Sequence, residues 1–367
     1  MQVAELVSKI GQHKYEGSSV TAGVPYQNIP NLNIKGHRDQ SDWRGKRICE
    51  LVDVKGKRIL DLGCSVGTIS STLKDQGASY ILGVDHDCES IGIALQLYDI
   101  DFMVAKITQE FISEMGHFDV VVWTSQFMWM VQQHGMEYAV EFLFELSKKC
   151  DTLVFETAGK QDGSAPLDMS QEDILPMLIK NTCFQEIIDS GPWGDGWAPR
   201  NVFICKNPRI SWDSNFFSKV ERINRKVIRK TYQNSERGRE LRDREIYFLT
   251  LFQSSPKHFP RLLSDDKEFI EMSYEGIPAL WIPNDDLAQI LTELACRQII
   301  HRDIRPENLL WNGTHCVLID FAYAVHAGDI TNYHYDLGQP YKSPHGYNDE
   351  FSLRKTQFKL MEARCRN

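Results

Sequence analysis

Five short runs rich in apolar and β-branched residues, Arg58–Leu62, Tyr80–Val84, Phe118–Trp123, Thr152–Glu156 and Asn201–Cys205, alternate with stretches of helical periodicity that begin at Thr68, Glu89, Met136 and Gln171. Consecutive parallel strands need a crossover, and a helix is the usual one, so this alternation predicts a parallel sheet covered by helices on both faces. The fold class expected for the first part of the chain is therefore α/β and doubly wound. Past Pro208 the pattern changes to strands around Val227–Lys230 and Glu268–Met272, a charged helix at Glu236–Leu251 and a helix at Asp285–Arg297, which reads as a small α+β domain. The breaker-rich stretch from Lys206 to Ser211 separates the two. Charge shifts at the same point: 18 basic and 28 acidic residues precede Pro208 (18 − 28 = −10), and 23 basic and 22 acidic follow (23 − 22 = +1). The domains expected are residues 1–207 and 208–367.

With 42% apolar residues over 367 positions, there is enough to bury two cores, and the net charge of −9 argues against a surface built to trap DNA or RNA. The 9 cysteines are odd in number and form no CxxC pair, which indicates neither a disulfide framework nor a zinc knuckle and suits a reducing cytosol. The N-terminus lacks the basic-then-apolar order of a signal peptide, and the longest greasy stretch, Val120 to Val131, is too short and too polar to span a bilayer. A cytoplasmic protein is expected, with peripheral contact at the inner face of the membrane left open.

The run from Arg58 to Gly67 takes a buried strand through a glycine turn into the helix that starts at Thr68. Gly63 permits the sharp turn, and Gly67 removes a side chain where a ligand's tail would approach the backbone at a helix N-terminus. A second buried strand ends in Asp85, a carboxylate placed to accept from both hydroxyls of a ribose. The glycine spacing differs from that used to hold a dinucleotide pyrophosphate, and Asp61 would repel a phosphate, so a cationic ligand is favoured. These residues resemble the first motif of the class I S-adenosylmethionine (SAM)-dependent methyltransferases. The resemblance implies a Rossmann-like domain in which Asp61, Gly63 and Gly67 hold the methionine end of SAM and Asp85 its ribose. The stretch Trp123 to Trp129 falls where that family faces the sulfonium and the acceptor, but is read mainly as core. Arg38 and Arg44 are weighed as a clamp for an anionic acceptor against a solvated loop, with the loop preferred, and His134 as a base against a surface histidine.

The most informative stretch is His301-Arg302-Asp303-Ile304-Arg305-Pro306-Glu307-Asn308, followed by Val317-Leu318-Ile319-Asp320-Phe321-Ala322. Phosphoryl transfer needs a carboxylate to orient and deprotonate a hydroxyl, an amide oxygen for one magnesium, and a carboxylate for the metal that bridges the phosphates. Asp303, Asn308 and Asp320 match these needs. The same tripeptide at His37-Arg38-Asp39 has neither the later asparagine nor the following strand, so the full constellation, not the tripeptide, carries the reading. The constellation resembles the protein-kinase-like superfamily. That resemblance implies ATP and Mg2+ as cofactors, Lys230 on the ATP phosphates, Glu245 as its ion-pair partner with Glu240 as the second choice, and Glu271 within the strand along the adenine. Three departures accompany it: no glycine lies between Ile210 and Lys230, Ala322 replaces the motif glycine, and only 47 residues follow Asp320 (367 − 320). The usual C-terminal lobe would be minimal or truncated. The ten basic residues between Lys219 and Arg244, against four acidic ones, are read as a solvated face or a guide for a polyanion.

A methyltransferase followed by a kinase-like domain resembles the bacterial bifunctional enzymes that end polymannose O-antigen chains. The resemblance implies SAM-dependent methyl transfer joined to phosphorylation of a glycan or other small hydroxyl-bearing acceptor. Two other readings stand beside it: a single-activity methyltransferase acting on a small molecule or RNA with an inactive kinase-like module, and an adaptor in which both pockets have decayed.

Overall fold

The computed structural model describes residues 24–162, 167–193, 200–215, 217–254, 257–329 and 348–366. The chain divides into two compact units, Met1–Leu175 with Glu186–Pro208, and Pro176–Gln185 with Arg209–Asn367. No helix among the described residues is long and apolar enough to cross a membrane.

In chain order the first unit runs through α1 (Ser41–Leu51), β1 (Arg58–Leu62), α2 (Thr68–Asp75), β2 (Tyr80–Asp85), α3 (Cys88–Leu97), β3 (Asp101–Val104), α4 (Gln109–Glu114), β4 (Phe118–Thr124), α5 (Phe127–His134), α6 (Met136–Ser147) and β5 (Cys150–Glu156). There follow α7 (Gln171–Asn181), β6 (Phe184–Pro192) and β7 (Asn201–Pro208). They build a seven-stranded sheet of order β3-β2-β1-β4-β5-β7-β6. Strands β3, β2, β1, β4 and β5 are parallel, with Leu60 opposite Leu82 and Val121. Alternation sends Val120, Val122 and Val154 to one face, where they pack with Ile48, Ile69 and Leu73. On the other face Trp123 meets Phe142 at 5.0 Å and Phe155 at 5.7 Å between ring centroids. Each such buried aromatic or aliphatic side chain contributes about 1.5–3 kcal/mol.

The expectation of a parallel strand at Asn201–Cys205 is corrected here: β7 runs antiparallel to β5, with Val154 opposite Ile204. Residues 193–200, which join β6 to β7, are too few for a crossover helix. Strands β3 and β6 escaped the sequence pattern because their residues are mostly exposed or half-buried and form no apolar run. The arrangement places the C-terminal ends of β1, β2, β4 and β5 on one edge of the sheet. Strand order reverses between β1 and β4, and that is where open parallel sheets receive ligands.

The second unit has a five-stranded antiparallel sheet of order β11-β12-β10-β9-β8, from β8 (Ser211–Asn215), β9 (Ser218–Arg222), β10 (Val227–Tyr232), β11 (Leu262–Asp265) and β12 (Phe269–Ser273). Helix α8 (Glu236–Phe252) lies between β10 and β11 in sequence, its N-terminus capped by Ser235 accepting from the Gly238 amide at 3.0 Å. After β13 (Ile277–Pro278) come α9 (Asn284–Cys296), β14 (Ile299–Ile300), β15 (Leu309–Trp311), β16 (Cys316–Leu318), β17 (Val325–His326) and α10 (Asp349–Arg366). Phe252, Phe259 and Phe321 stack at the centre of one core, to which α10 adds Leu353 and Leu360.

The chain passes between units at 175/176, 185/186 and 208/209 rather than once. Pro176 falls inside α7, where it removes a backbone donor. Beyond it, Arg222 donates to the carbonyls of Lys180 at 3.0 Å, Thr182 and Arg225, and its guanidinium lies over the Tyr274 ring. Arg225 reaches the Asn181 side chain at 2.9 Å. Arg222 thus satisfies carbonyls that the end of α7 leaves without helical partners, and Arg225 holds the side chain of the last helical residue. We predict that Arg222→Ala lowers the unfolding free energy by about 2–3 kcal/mol, because charge-assisted bonds are lost and carbonyls are stranded. Urea denaturation measures it, and an unchanged midpoint would mean that water serves those carbonyls equally well.

Candidate functional site

The turn after β1 is held from below by the amides of Gly63 and Cys64, which donate to Val84 O at 2.8 and 3.1 Å. Gly63 and Gly67 take φ of +80° and +79°. A Cβ on Gly67 would stand 2.7 Å from the Phe102 ring, so this glycine makes room for a neighbouring side chain rather than for a ligand's tail. Phe102 sits on an edge strand too short and exposed to be singled out in sequence. The first amide of α2, that of Thr68, is taken by Gln27 Oε1 at 2.9 Å, which caps the helix from 41 residues upstream.

Asp61 is buried, receives the Ser70 hydroxyl at 2.6 Å, and has its carboxyl pushed up to about 6 by burial, with Asp85 adding to the rise and Ser70 opposing it. Both oxygens of Asp85 accept backbone amides, from Ser65 and Asp87, each at 2.9 Å. A carboxylate has about four lone-pair sites, so Asp85 keeps acceptor capacity. Ser65 Oγ is buried with no hydrogen-bond partner among the described residues. The structure therefore gathers Asp61, Gly63, Gly67 and Asp85 at one strand-end turn. Among the described residues, the orphaned Ser65 hydroxyl and the buried Asp61 carboxyl, which has no cationic partner there, make the set fit a cationic nucleoside such as SAM.

Beside the turn, at the ends of β4 and β5, the sequence was misread at Arg38 and Arg44. They do not lie in a solvated loop but are buried, with Arg44 3.7 Å from the fully buried Glu156. Arg200 donates to Glu156 at 3.0 Å and to Ser125 Oγ at 3.1 Å, and pairs with Asp162 at 2.5 Å. Burial would raise the Glu156 carboxyl, but Arg200, Arg44 and Arg38 together hold it below its ordinary value. Glu156 and Arg200 escaped notice because nothing in sequence links positions 44 residues apart. Trp123, Phe127 and Met128 are core, Trp129 is partly exposed, and His134 is exposed beside Tyr138.

In the second unit, alternation along β10 points Ile228, Lys230 and Tyr232 inward. The buried Lys230 ammonium lies 2.8 Å from Glu245 on α8 and 2.8 Å from Asp320, which follows β16 with φ of +68°. Burial disfavours each charge, yet Lys230 holds the Asp320 carboxyl below its ordinary value while Glu245 is raised. Tyr232 donates to the same Glu245 oxygen as Lys230. Asn308 Nδ2 donates to the backbone and side chain of Asp303, both at 2.8 Å, and its own carbonyl accepts the Ile319 amide next to Asp320 at 3.0 Å. Burial, with Asp320 adding, pushes the Asp303 carboxyl up to about 6 against Arg305. His301, lowered to about 4 by burial, is neutral and bridges Ile319 O and the Asp303 amide. Asp349 on α10 takes the amides of His301 and Arg302, an anchor the sequence did not reveal because it lies beyond the motif.

Lys230, Glu245, Asp303, Asn308 and Asp320 are thus linked by direct contacts and one backbone bond, whereas Glu271 is not joined to them. It lies mid-sheet, its strand paired on both sides, and its carboxylate is held by Arg229 at 2.6 Å and Ser264 at 2.9 Å. Glu240 is likewise engaged elsewhere, by Arg237 and Arg244. The basic run is no uniform solvated face, since Arg222, Arg225 and Lys230 are buried. Among the described residues no cluster of three His, Cys, Asp or Glu is poised to cage a metal. Asn308 and Asp320 offer the one or two oxygen donors that Mg2+ takes when phosphates and water supply the rest.

Residues 59–149 match the family model described as a methyltransferase domain. The first unit therefore carries a methyltransferase domain on a Rossmann-like fold. In sequence, the chain is 29% identical over 161 residues to the O-antigen chain terminator bifunctional methyltransferase/kinase WbdD of Escherichia coli, covering 41% of this chain and 22% of that protein. The chain thus spans under a quarter of the length of the curated relatives it matches first. A solved structure of the bifunctional kinase-methyltransferase WbdD aligns at 20% identity and a TM-score of 0.47, covering 89% of this chain and 83% of that one. Magnesium protoporphyrin IX methyltransferase from Synechocystis, with bound SAM, aligns at 19% identity and a TM-score of 0.37, covering 47% and 80%.

Because burial raises the folded-state value of Asp61, the protein binds more protons folded than unfolded between pH 4 and 6. This contribution makes stability fall as pH rises through that window and level off above it. We predict that Asp61→Asn gains on the order of 2–3 kcal/mol at pH 7, vanishing toward pH 4. Thermal unfolding across pH 4–7.5 checks this, and a constant difference between variant and parent contradicts it.

Proposed function

We propose that the chain is a bifunctional transferase, joining SAM-dependent methyl transfer in the first unit to ATP- and Mg2+-dependent phosphorylation in the second. The observation that carries the second activity is the Lys230 ammonium held between Glu245 and Asp320, at 2.8 Å from each, from three separate parts of the chain. One lysine against two carboxylates leaves the buried set one negative charge in excess, which a bound Mg2+ would balance. In this reading Lys230, positioned by its ion pair with Glu245, holds the ATP phosphates, and Asn308 and Asp320 hold the metal. Asp303, with its carboxyl near 6, is poised as general base for the acceptor hydroxyl near neutral pH. ATP supplies the phosphoryl group, and these residues align and neutralise rather than react.

In the first unit, SAM supplies an electrophilic methyl. Asp61 and the turn around Gly63 and Gly67 hold its amino-acid end, Ser65 Oγ gains its missing partner, and Asp85 accepts the ribose hydroxyls. A phosphate or carboxylate acceptor then needs alignment and no base. The Escherichia coli relative is an O-antigen chain terminator, which favours a glycan as acceptor. A cytoplasmic location, at the inner face of the membrane, belongs to the same reading. One observation favours the alternative, a methyltransferase whose second unit is inactive: no glycine lies from Ile210 to Lys230, where a phosphate-covering flap would sit.

Calorimetric titration separates the two. With Mg2+ present the parent binds ATP, and Asp320→Asn abolishes that binding while leaving SAM affinity unchanged; absence of ATP heat in the folded parent returns the single-activity reading. A second measurement tests Asp61. Because a cation favours its ionised form, SAM affinity should fall about tenfold per pH unit below 6, and Asp61→Asn should be both weaker and flat with pH. Pronounced pH dependence surviving in the variant would assign the proton to another group.

A further inference from the structure

Two side chains of β10 reach the same oxygen of Glu245. Tyr232 stands two residues after Lys230, so the alternation of the strand turns both to one buried face, and the Tyr232 hydroxyl donates to Glu245 Oε2, which also takes Lys230 Nζ at 2.8 Å. Glu245 Oε1 is buried with no hydrogen-bond partner among the described residues. A carboxylate free to turn would give each donor its own oxygen. Here both donors are fixed to the strand, and the carboxylate on α8 meets them with one oxygen only.

The phenol is itself held firmly. Its ring belongs to the core that includes Leu241 and Phe248, its amide donates to Glu268 O at 2.8 Å, and its position on β10 is opposite Ser218 of β9. Lys230 Nζ stands 5.4 Å from the ring centroid, within reach of a cation–π attraction. A buried hydroxyl needs an acceptor, and a backbone carbonyl is the common one. Tyr232 takes instead the carboxylate that anchors the buried lysine.

The contact matters once the site is loaded. In the reading of the second unit as a phosphotransfer site, on which this inference rests, Asp320 turns from Lys230 to the metal, and the ammonium keeps its direction only if its remaining partner stays still. We infer that Tyr232 is a positioning residue for phosphoryl transfer: its hydroxyl fixes the Glu245 carboxylate, and through it aims Lys230 at the nucleotide phosphates. Tyr232 itself touches neither nucleotide nor acceptor. It makes the pairing of Lys230 with Glu245 a preset part of the fold, joining strand to helix, rather than one that ATP must assemble.

The test is calorimetric titration of the full chain, with Mg2+ present, by ATP and by adenosine, which lacks the phosphates. Tyr232→Phe keeps the ring and removes only the hydroxyl, and it should weaken ATP about fivefold to tenfold while leaving adenosine within twofold. Glu245→Ala should weaken ATP at least as much, and adding Tyr232→Phe to it should cause no further loss, because the hydroxyl acts only through that carboxylate. Urea midpoints establish folding, and Tyr232→Leu, which also fills the core without a hydroxyl, repeats the measurement if the phenylalanine variant does not fold. ATP affinity within twofold of the parent in Tyr232→Phe, equal losses for ATP and adenosine, or independent losses in the double variant overturn the inference while the phosphotransfer reading stands. A folded parent that binds no ATP overturns both.

Discussion

A charge removed from water must find its counter-charge inside the fold, and both units are organised by that requirement. Lys230, on a central strand, is 2% exposed and is held only because α8 brings Glu245 and the segment after β16 brings Asp320. Glu156, with no exposure at all, plays the same part in the first unit, drawing Arg44 from α1 and Arg200 from just before β7. Each charge draws together parts of the chain that hydrophobic packing alone would leave free to slide. Removing one member would cost more than the interaction itself, since the partners would stay buried and uncompensated.

The sheets explain why such charges fall where chemistry is expected. Parallel strands present their C-terminal ends on one edge, so Asp61, Asp85, Ser125 and Glu156 converge although they span 95 positions (156 − 61). In the antiparallel sheet of the second unit, alternation along β10 does the same work, setting Lys230 and Tyr232 on one face toward Glu245. Backbone strain is concentrated at these places, with left-handed Ser65, Ser125, Arg302 and Asp320 each next to a group of candidate importance.

Much of this was legible in the sequence for a definable reason. Local signals, such as apolar runs ending in Asp61 and Asp85 or the glycines at 63 and 67, depend on a few neighbouring residues and survive without tertiary context. The spacing from Lys230 to Glu245 was readable because strand and helix follow directly. Contacts set by topology were not readable. Arg38 and Arg44 looked like loop charges because their partner, Glu156, lies over a hundred positions away, and Asp349 lies outside any motif. Glu271 was misplaced for the converse reason: its strand was recognised, but two-sided pairing, which occupies it, is invisible before the sheet is assembled. Gly67 was correctly marked as special and given the wrong neighbour, since Phe102 comes from an edge strand with no pattern of its own.

The passage of Pro176–Gln185 into the second compact unit bears on how a chain like this can be divided or inherited. A gene fragment ending at Pro208 would keep a ten-residue segment whose Lys180 and Thr182 carbonyls Arg222 satisfies and whose Asn181 side chain Arg225 holds, and a fragment starting at Arg209 would lack that segment. The two units, though compact, are therefore interleaved along the polypeptide rather than strung in tandem. Recombination at the obvious linker would separate them only by leaving each with a ragged end.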